Sequence, residues 1–82
     1  MRDSMRPAKR LDVRGLLCPI PVLEGKKAID ELAVGQLLEL IGDDPVMVID
    51  VPAWCDQGGH GFVGCEKGED GVVRCLIEKG PA

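Results

Sequence analysis

The chain has 82 residues, of which 45% are hydrophobic and 29% are charged, with a formal net charge of −4. This length and balance predict one small globular domain, with too little core to enclose a deep cofactor cavity. The negative charge argues against a nucleic-acid-binding protein, because such proteins normally present a basic face. No apolar run approaches the roughly 20 residues of a membrane span.

The first nine residues differ in composition from the rest of the chain. Residues 1–9 are polar and basic, contain a proline and show no periodicity, which predicts a mobile tail before a domain over residues 10–80. The tail lacks the apolar segment of a secretory signal, so we expect a cytoplasmic protein. In that reducing compartment we expect all four cysteines to be free thiols.

The first half of the domain alternates between strand-like and helix-like patterns. Apolar residues from Leu11 predict a first strand that ends near residues 15–16, and the segment 36–41 is apolar enough for a central second strand. Between them, Pro19 to about Leu32 predicts a helix, because its apolar residues recur at spacings of three and four. That apolar face consists of Val22, Gly25, Ala28, Ile29 and Leu32.

The second half predicts another helix and a hairpin. Asp44 suits an N-cap and Pro45 a first helical position, while Pro52 predicts an interruption, with a turn over 46–50 and a second helical piece to about residue 57. Residues 60–67 and 72–78 predict two strands joined by an Asp-Gly turn. The order βαβαββ predicts an α/β fold, a two-layer α/β sandwich with both helices on one face of a four-stranded mixed sheet.

Cys18-Pro19-Ile20-Pro21 lies where the first strand gives way to the first helix. Proline suits a first helical turn, which predicts Cys18 at the N-cap, where the positive end of the helix dipole favours a thiolate. Pro19 and Pro21 have no N–H, so the N–H of Ile20 is the main local donor predicted for a sulfur anion. A thiolate attacks sulfur and electrophiles. The alternative is a buried, inert thiol.

The other three cysteines favour structural interpretations. Cys75 alternates with the apolar residues of the last strand and is predicted to lie in the core, while the environment of Cys65 is open. The spacing Cys55-x4-His60-x4-Cys65 lacks the short cysteine pair of most zinc sites, so we predict no metal. Trp54 and Phe62, the only aromatic residues, are too few to stack on RNA.

The segment from Leu11 to Pro21, with its leucine–aspartate pair, glycine–leucine step and Cys-Pro-x-Pro motif, resembles the N-terminal signature of the TusA/SirA sulfur-carrier family. The resemblance continues at residues 42–45, 51–55 and 76–80. It implies a sulfurtransferase without a cofactor, in which Cys18 carries sulfane sulfur as a persulfide. The implied partners are a sulfur donor protein, of the cysteine desulfurase or rhodanese type, and an acceptor protein.

The resemblance also implies roles for residues around Cys18. Asp12 matches an acidic family position and could tune or gate the site, although an exposed aspartate at a strand edge is the alternative. Gly15 belongs to the glycine–leucine step, and with Pro19, Ile20 and Pro21 it would support the site. Cys55 matches a second family cysteine that could resolve the persulfide or pair with Cys18, but core packing is favoured. For Asp43 and Asp44 the alternative to a site role is helix capping, which we favour for Asp44.

Two function classes stay open at this point. The first is the persulfide carrier, and the second is a non-catalytic regulatory or interaction module on the same fold, linked to redox sensing or to uptake of sulfur compounds. The fold also resembles the C-terminal domain of a translation initiation factor, so the fold alone does not decide. Cys18 favours the carrier. The family serves tRNA thiolation, molybdenum-cofactor synthesis and sulfur metabolism, and a monomer without direct nucleic-acid binding is expected.

Overall fold

The protein is described here by a computed structural model over residues 6–17 and 19–81. The elements follow the predicted order βαβαββ. They are β1 (Lys9–Asp12), α1 (Ile20–Ile29), β2 (Leu37–Gly42), α2 (Met47–Gly58), β3 (Gly61–Lys67) and β4 (Val73–Glu78). Within these ranges no helix combines the length and the apolar character that crossing a membrane requires.

The four strands form one mixed sheet in the order β1-β2-β4-β3. β1 pairs with β2 in parallel, while β4 runs antiparallel to both β2 and β3. β2 and β3 therefore point the same way, and α1 and α2 are crossovers between strands of equal direction. Right-handed crossovers that progress in the same direction across a sheet lie on one face, so the predicted two-layer α/β sandwich is confirmed.

The core lies between the helices and one face of β2 and β4. Leu38 pairs with Ile77 and Leu40 with Cys75, and all four side chains are fully buried. Gly25 of α1 allows the layers to approach closely, because a Cβ there would lie 3.1 Å from Leu40 and 3.2 Å from the Trp54 ring. The remaining members of the buried cluster are Val13, Val22, Ala28, Ile29, Met47, Val51, Trp54, Cys55 and Val73.

The first strand begins earlier and ends earlier than its pattern predicts. β1 starts at Lys9, inside the segment predicted as a tail, and Ala8 N–H extends the pairing by donating to the Leu37 carbonyl at 2.8 Å. The strand ends at Asp12 because a turn follows at Arg14 and Gly15. Residues 1–5, most of the predicted tail, lie outside the described residues, so the mobility of that segment stays a prediction.

The second helix is continuous, and the predicted interruption at Pro52 is wrong. The turn before α2 is confined to Pro45 and Val46, and the helix runs through Pro52 without a break. Proline removes one N–H, which would otherwise donate to the Val48 carbonyl, so its cost is limited to one hydrogen bond and local crowding. Burial of Val51, Trp54 and Cys55 on either side of the proline keeps the segment helical.

A β-bulge sets the register of the hairpin. Between Phe62 and Gly64 the pairing of β3 with β4 shifts by one residue, which leaves Val63 as the extra residue. Beyond the bulge, Cys65 lies opposite Cys75, and the two form a disulfide with their Cα atoms 4.0 Å apart. The prediction of four free thiols is therefore wrong at these two positions. The prediction that Cys75 lies in the core is confirmed, since its side chain is fully buried.

The disulfide generates a stability prediction. Because it closes a loop between residues 10 positions apart, reduction with dithiothreitol should lower the free energy of unfolding by about 2–3 kcal/mol. Urea unfolding with and without reductant measures the change. In Cys65→Ala, which cannot form the bond, the reductant should have no effect. An unchanged urea midpoint for the reduced wild-type protein would contradict the prediction.

Candidate functional site

The loop between β1 and α1 contains the residues that the sequence singles out. Cys18 lies outside the described residues, so its predicted exposure and ionisation stay predictions. Leu17 and Pro19, its neighbours in the chain, are both described and exposed. The geometry of the site is therefore the geometry of the groups around this position: the start of α1, the loop before it and the adjoining loop before α2.

Helix α1 begins one residue later than its sequence predicts. Pro19 is the N-cap (φ −91°, ψ 11°), and Ile20 and Pro21 are the first two helical residues. The N–H of Ile20 donates to the Leu17 carbonyl at 2.9 Å. A backbone oxygen therefore already accepts the hydrogen that the sequence assigns to a sulfur anion, and a role of this N–H toward the Cys18 sulfur stays a prediction.

The electrostatic character of this helix start is positive. Among the described residues no side chain caps α1 by a hydrogen bond, and no acidic residue lies in its first turn. The partial positive charge that the aligned peptide dipoles place at a helix N-terminus is therefore not offset from within α1. The sequence predicts this feature, since Cys18-Pro19-Ile20-Pro21 contains no carboxylate.

Gly15 and Asp43 join the two loops that precede the helices. The Gly15 N–H donates to Asp43 Oδ1 at 3.0 Å, which ties the β1–α1 loop to the β2–α2 loop. Gly15 has a φ of +86°, and a Cβ there would meet no atom within 4 Å, so its glycine serves the backbone conformation rather than close packing. Asp43 anchors a loop and does not cap the helix. Asp44 Oδ1 accepts the Val46 N–H at 3.0 Å, which closes the turn before α2, but the N-cap of α2 is Val46 and no side chain caps it. The predicted N-cap position of Asp44 and first helical position of Pro45 are therefore wrong.

Asp12 is held by Arg14, a residue that sequence reasoning missed. The guanidinium reaches both carboxylate oxygens, with Nη2 at 2.8 Å from Oδ2 and Nε at 3.0 Å from Oδ1, and the Arg14 backbone N–H also donates to Oδ1. The side-chain hydrogen bonds from Arg14 lower the pKa of Asp12 to about 2. Asp12 is thus a permanently charged, paired carboxylate at the end of β1, unsuited to proton transfer near neutral pH. The spacing of two residues across a turn is the signal that could have revealed the pair.

The described cysteines offer no exposed free thiol. Cys55 is a free thiol buried in the core, and burial raises its pKa to about 11. A thiol with such a pKa is almost wholly protonated at neutral pH and is a poor nucleophile. Cys65 and Cys75 are joined in the disulfide. The preferred interpretation of Cys55 as a packing residue agrees with its position.

Exposed apolar side chains surround the starts of both helices. β1 and β2 are parallel and each is followed by a helix, so α1 and α2 begin at the same edge of the sheet. We call the exposed apolar residues at this edge the apolar rim. Leu17 is 73% and Ile49 is 68% exposed. The full set is Leu16, Leu17, Ile20, Leu23, Val46, Val48 and Ile49. Exposed apolar side chains gathered at one edge commonly mark a protein-binding site.

Within residues 6–17 and 19–81, no group of three or more histidine, cysteine, aspartate or glutamate side chains is arranged to hold a metal ion. His60 instead accepts the Gly80 N–H at Nδ1, 2.9 Å away, and packs edge-on against Trp54. The spacing Cys55-x4-His60-x4-Cys65 reflects core and hairpin packing.

The pairing of Asp12 with Arg14 predicts a measurable pKa. In an NMR titration the Asp12 carboxyl should titrate near pH 2, and in Arg14→Gln its pKa should return toward the ordinary 3.8. Because the folded-state pKa is depressed, the stability that Asp12 contributes is complete above about pH 4 and is lost as the pH falls through 2. Lys27→Gln, which removes a positive charge from α1 and not from the turn after β1, is the control and should leave the Asp12 pKa near 2. An ordinary pKa in the wild-type protein would refute the pairing.

Comparison with known proteins identifies the family. Residues 9–79 match the family model for the sulfurtransferase TusA. The chain is 40% identical over 70 residues to a "Putative sulfur carrier protein" of Archaeoglobus fulgidus, covering 85% of this chain and 91% of that protein. It is 39% identical over 77 residues to the "Putative sulfur carrier protein YrkI" of Bacillus subtilis, covering 93% and 100%.

A solved structure supports the same assignment. The SirA-like protein from Desulfitobacterium hafniense superposes with a TM-score of 0.77 at 25% identity, over 88% of this chain and 97% of that one. The chain belongs to the TusA/SirA family of sulfur carriers.

Proposed function

We propose that the protein relays sulfane sulfur as a persulfide on Cys18, between a donor enzyme and an acceptor protein. The observation that carries this proposal is the distribution of the cysteines in a sulfur-carrier fold. Cys55 is buried with a raised pKa, and Cys65 and Cys75 are joined to each other. Cys18, in the Cys-Pro-x-Pro motif before α1, is the cysteine left for sulfur exchange.

The proposed transfer needs no oxidant and no cofactor. The Cys18 thiolate attacks the terminal sulfur of a persulfide on the donor, the donor's S–S bond breaks, and its cysteine leaves as a thiolate. Cys18 then holds a persulfide anion, whose terminal sulfur is attacked in turn by a thiolate of the acceptor. Each step exchanges one S–S bond for another, as in thiol–disulfide exchange.

The start of α1 supports an anionic sulfur in this role. Cys18 immediately precedes the N-cap residue Pro19, and the helix is 10 residues long, with no acidic residue in its first turn. The dipole of such a helix favours a negative charge near its N-terminus, which lowers the pKa of a nearby thiol. Because the Ile20 N–H is engaged by Leu17, we attribute the support to this field and not to that hydrogen bond. Pro19 and Pro21 stiffen the turn.

The apolar rim supplies the docking surface that a relay requires. A sulfur atom passes between two proteins only when their cysteines meet, so the partner must cover the surface around Cys18. The exposed side chains of Leu17, Ile20 and Ile49 offer apolar area to a donor or acceptor protein at the edge where α1 begins. A monomeric carrier would leave this surface free for successive partners.

Intact-mass spectrometry tests the role of Cys18. After incubation with a cysteine desulfurase and cysteine, the wild-type protein should gain the mass of one sulfur atom, and dithiothreitol should remove it. Cys18→Ala should gain none, because the attacking thiolate is absent. Cys55→Ala is the matched control and should load as the wild type does. Loading that persists in Cys18→Ala, or no loading of the wild type by desulfurase, rhodanese or polysulfide, would refute the proposal.

A second experiment separates docking from chemistry at the apolar rim. Ile49→Asp should slow sulfur loading from the desulfurase about tenfold, because a charge placed in an apolar interface opposes binding. Loading from inorganic polysulfide, which needs no protein interface, should be unchanged. Val34→Asp provides the control: Val34 is 65% exposed, close to the 68% of Ile49, but lies in the α1–β2 loop at the opposite edge of the sheet. Equal slowing by both variants would exclude the rim as the docking surface.

A further inference from the structure

The ends of the two helices border an open cavity far from the Cys18 loop. It has a volume of about 450 Å³ and is lined by side chains from the last turns of α1 and α2, together with His60. α1 has 10 residues, so the cavity lies about 15 Å from the start of that helix. None of the residues assigned to the sulfur site or to the apolar rim lines it.

Trp54 presents an unpaired hydrogen-bond donor to this cavity. The side chain is only 5% exposed and lines the cavity wall. Its indole N–H donates to no acceptor among the described residues. Fully enclosed side-chain nitrogens in the described part of the chain all have partners, so this N–H faces open space. The indole N–H of a mostly buried tryptophan ordinarily has an acceptor, and here the acceptor comes from outside the protein, from water or from a ligand that displaces it.

His60 adds a second donor beside the first. Its Nδ1 accepts the Gly80 N–H at 2.9 Å, so the neutral ring carries its proton on Nε2. Nε2 also donates to no described residue. A Cβ on Gly58 would lie 3.5 Å from Trp54 Nε1 and 3.5 Å from His60 Nε2, so both nitrogens flank one point. The glycine leaves that point open.

The charge around the cavity favours an anion. Lys26, in the last turn of α1, lines the cavity and makes no ion pair among the described residues. The lining carboxylate, Asp30, is offset by Lys79, whose Nζ lies 3.7 Å from it. The helix C-termini oppose an anion weakly, but the N–H groups of Asp30 and His60 already occupy carbonyls there. The full positive charge of Lys26 exceeds the partial negative charge that remains on the free carbonyl groups of the two helix C-termini.

We propose that this cavity binds a small molecule with an oxyanion head, either a carboxylate or a sulfur oxyanion. The oxygens of the head accept hydrogen bonds from Trp54 Nε1 and His60 Nε2, and Lys26 meets the negative charge. The volume falls within the range of small-molecule sites, and Ile29 supplies an apolar wall for the remainder of the ligand. Because the cavity and the apolar rim lie at opposite ends of the helices, ligand and partner protein can bind together.

The single tryptophan of the chain makes the proposal directly testable. In a ¹H–¹⁵N correlation spectrum of the full chain, Trp54 gives the one indole cross-peak. Titration with sodium acetate or sodium sulfate, at ionic strength held constant with sodium chloride, should shift this peak downfield and saturate. We expect a millimolar Kd, as suits a probe of four or five heavy atoms. Saturation by acetate assigns a carboxylate head, and saturation by sulfate assigns a tetrahedral one.

Three variants establish that the shift reports the proposed site. Gly58→Ala, which puts a Cβ between the two donors, should abolish saturation. Lys26→Gln should weaken binding about fivefold through the loss of its charge. Lys27→Gln, the same change at a lysine that pairs with Glu24 outside the cavity, should alter the Kd less than twofold. Absence of a saturable shift with both anions, or equal weakening by the two lysine variants, would overturn the proposal.

Discussion

The central strand β2 is the constraint on which the rest of the structure depends. It pairs in parallel with β1 on one side and antiparallel with β4 on the other, and its Leu38 and Leu40 are buried beneath both helices. Because β1 and β2 run the same way, both helices must begin at one edge of the sheet and end at the other. The loop that contains Cys18 and the apolar rim thus share one edge, and the Trp54 cavity lies at the other.

The three cysteines that the structure describes are held in two ways, and both withhold a sulfur atom from exchange. Burial keeps the thiol of Cys55 protonated, and the hairpin joins Cys65 to Cys75. In a carrier with a second exposed thiol, that thiol would attack the inner sulfur of the persulfide. An internal disulfide would form, and the outer sulfur would be lost as hydrosulfide before it reached an acceptor. With Cys55, Cys65 and Cys75 withheld from exchange, the proposed relay through Cys18 meets no competing thiol among the described residues.

The periodicity of apolar residues was sufficient to predict the order of helices and strands. It was not sufficient to predict the local hydrogen bonds. The alternation of Val73, Cys75 and Ile77 gave the buried face of β4 because burial there depends on strand geometry alone. The interruption predicted at Pro52 is wrong because the burial of α2 against the sheet stabilises the helix more than the loss of one backbone N–H donor destabilises it. The hydrogen bond of the Ile20 N–H and the Asp12–Arg14 ion pair both depend on the residue at which a turn begins, and a sequence pattern does not fix that residue. The disulfide depends on the β-bulge at Val63, and no pattern in the sequence predicts that bulge.

That bulge has a consequence for the assembly of the hairpin. If Val63 were paired with Leu76 and not bulged, Gly64 would oppose Cys75, and Cys65 would move to the other face of the sheet, opposite Arg74. A hairpin that pairs one residue out of step therefore holds its two sulfur atoms on opposite sides of the backbone, where they cannot join. The disulfide can therefore form only in the hairpin that has the observed register, and once formed it fixes that register of the edge strand β3.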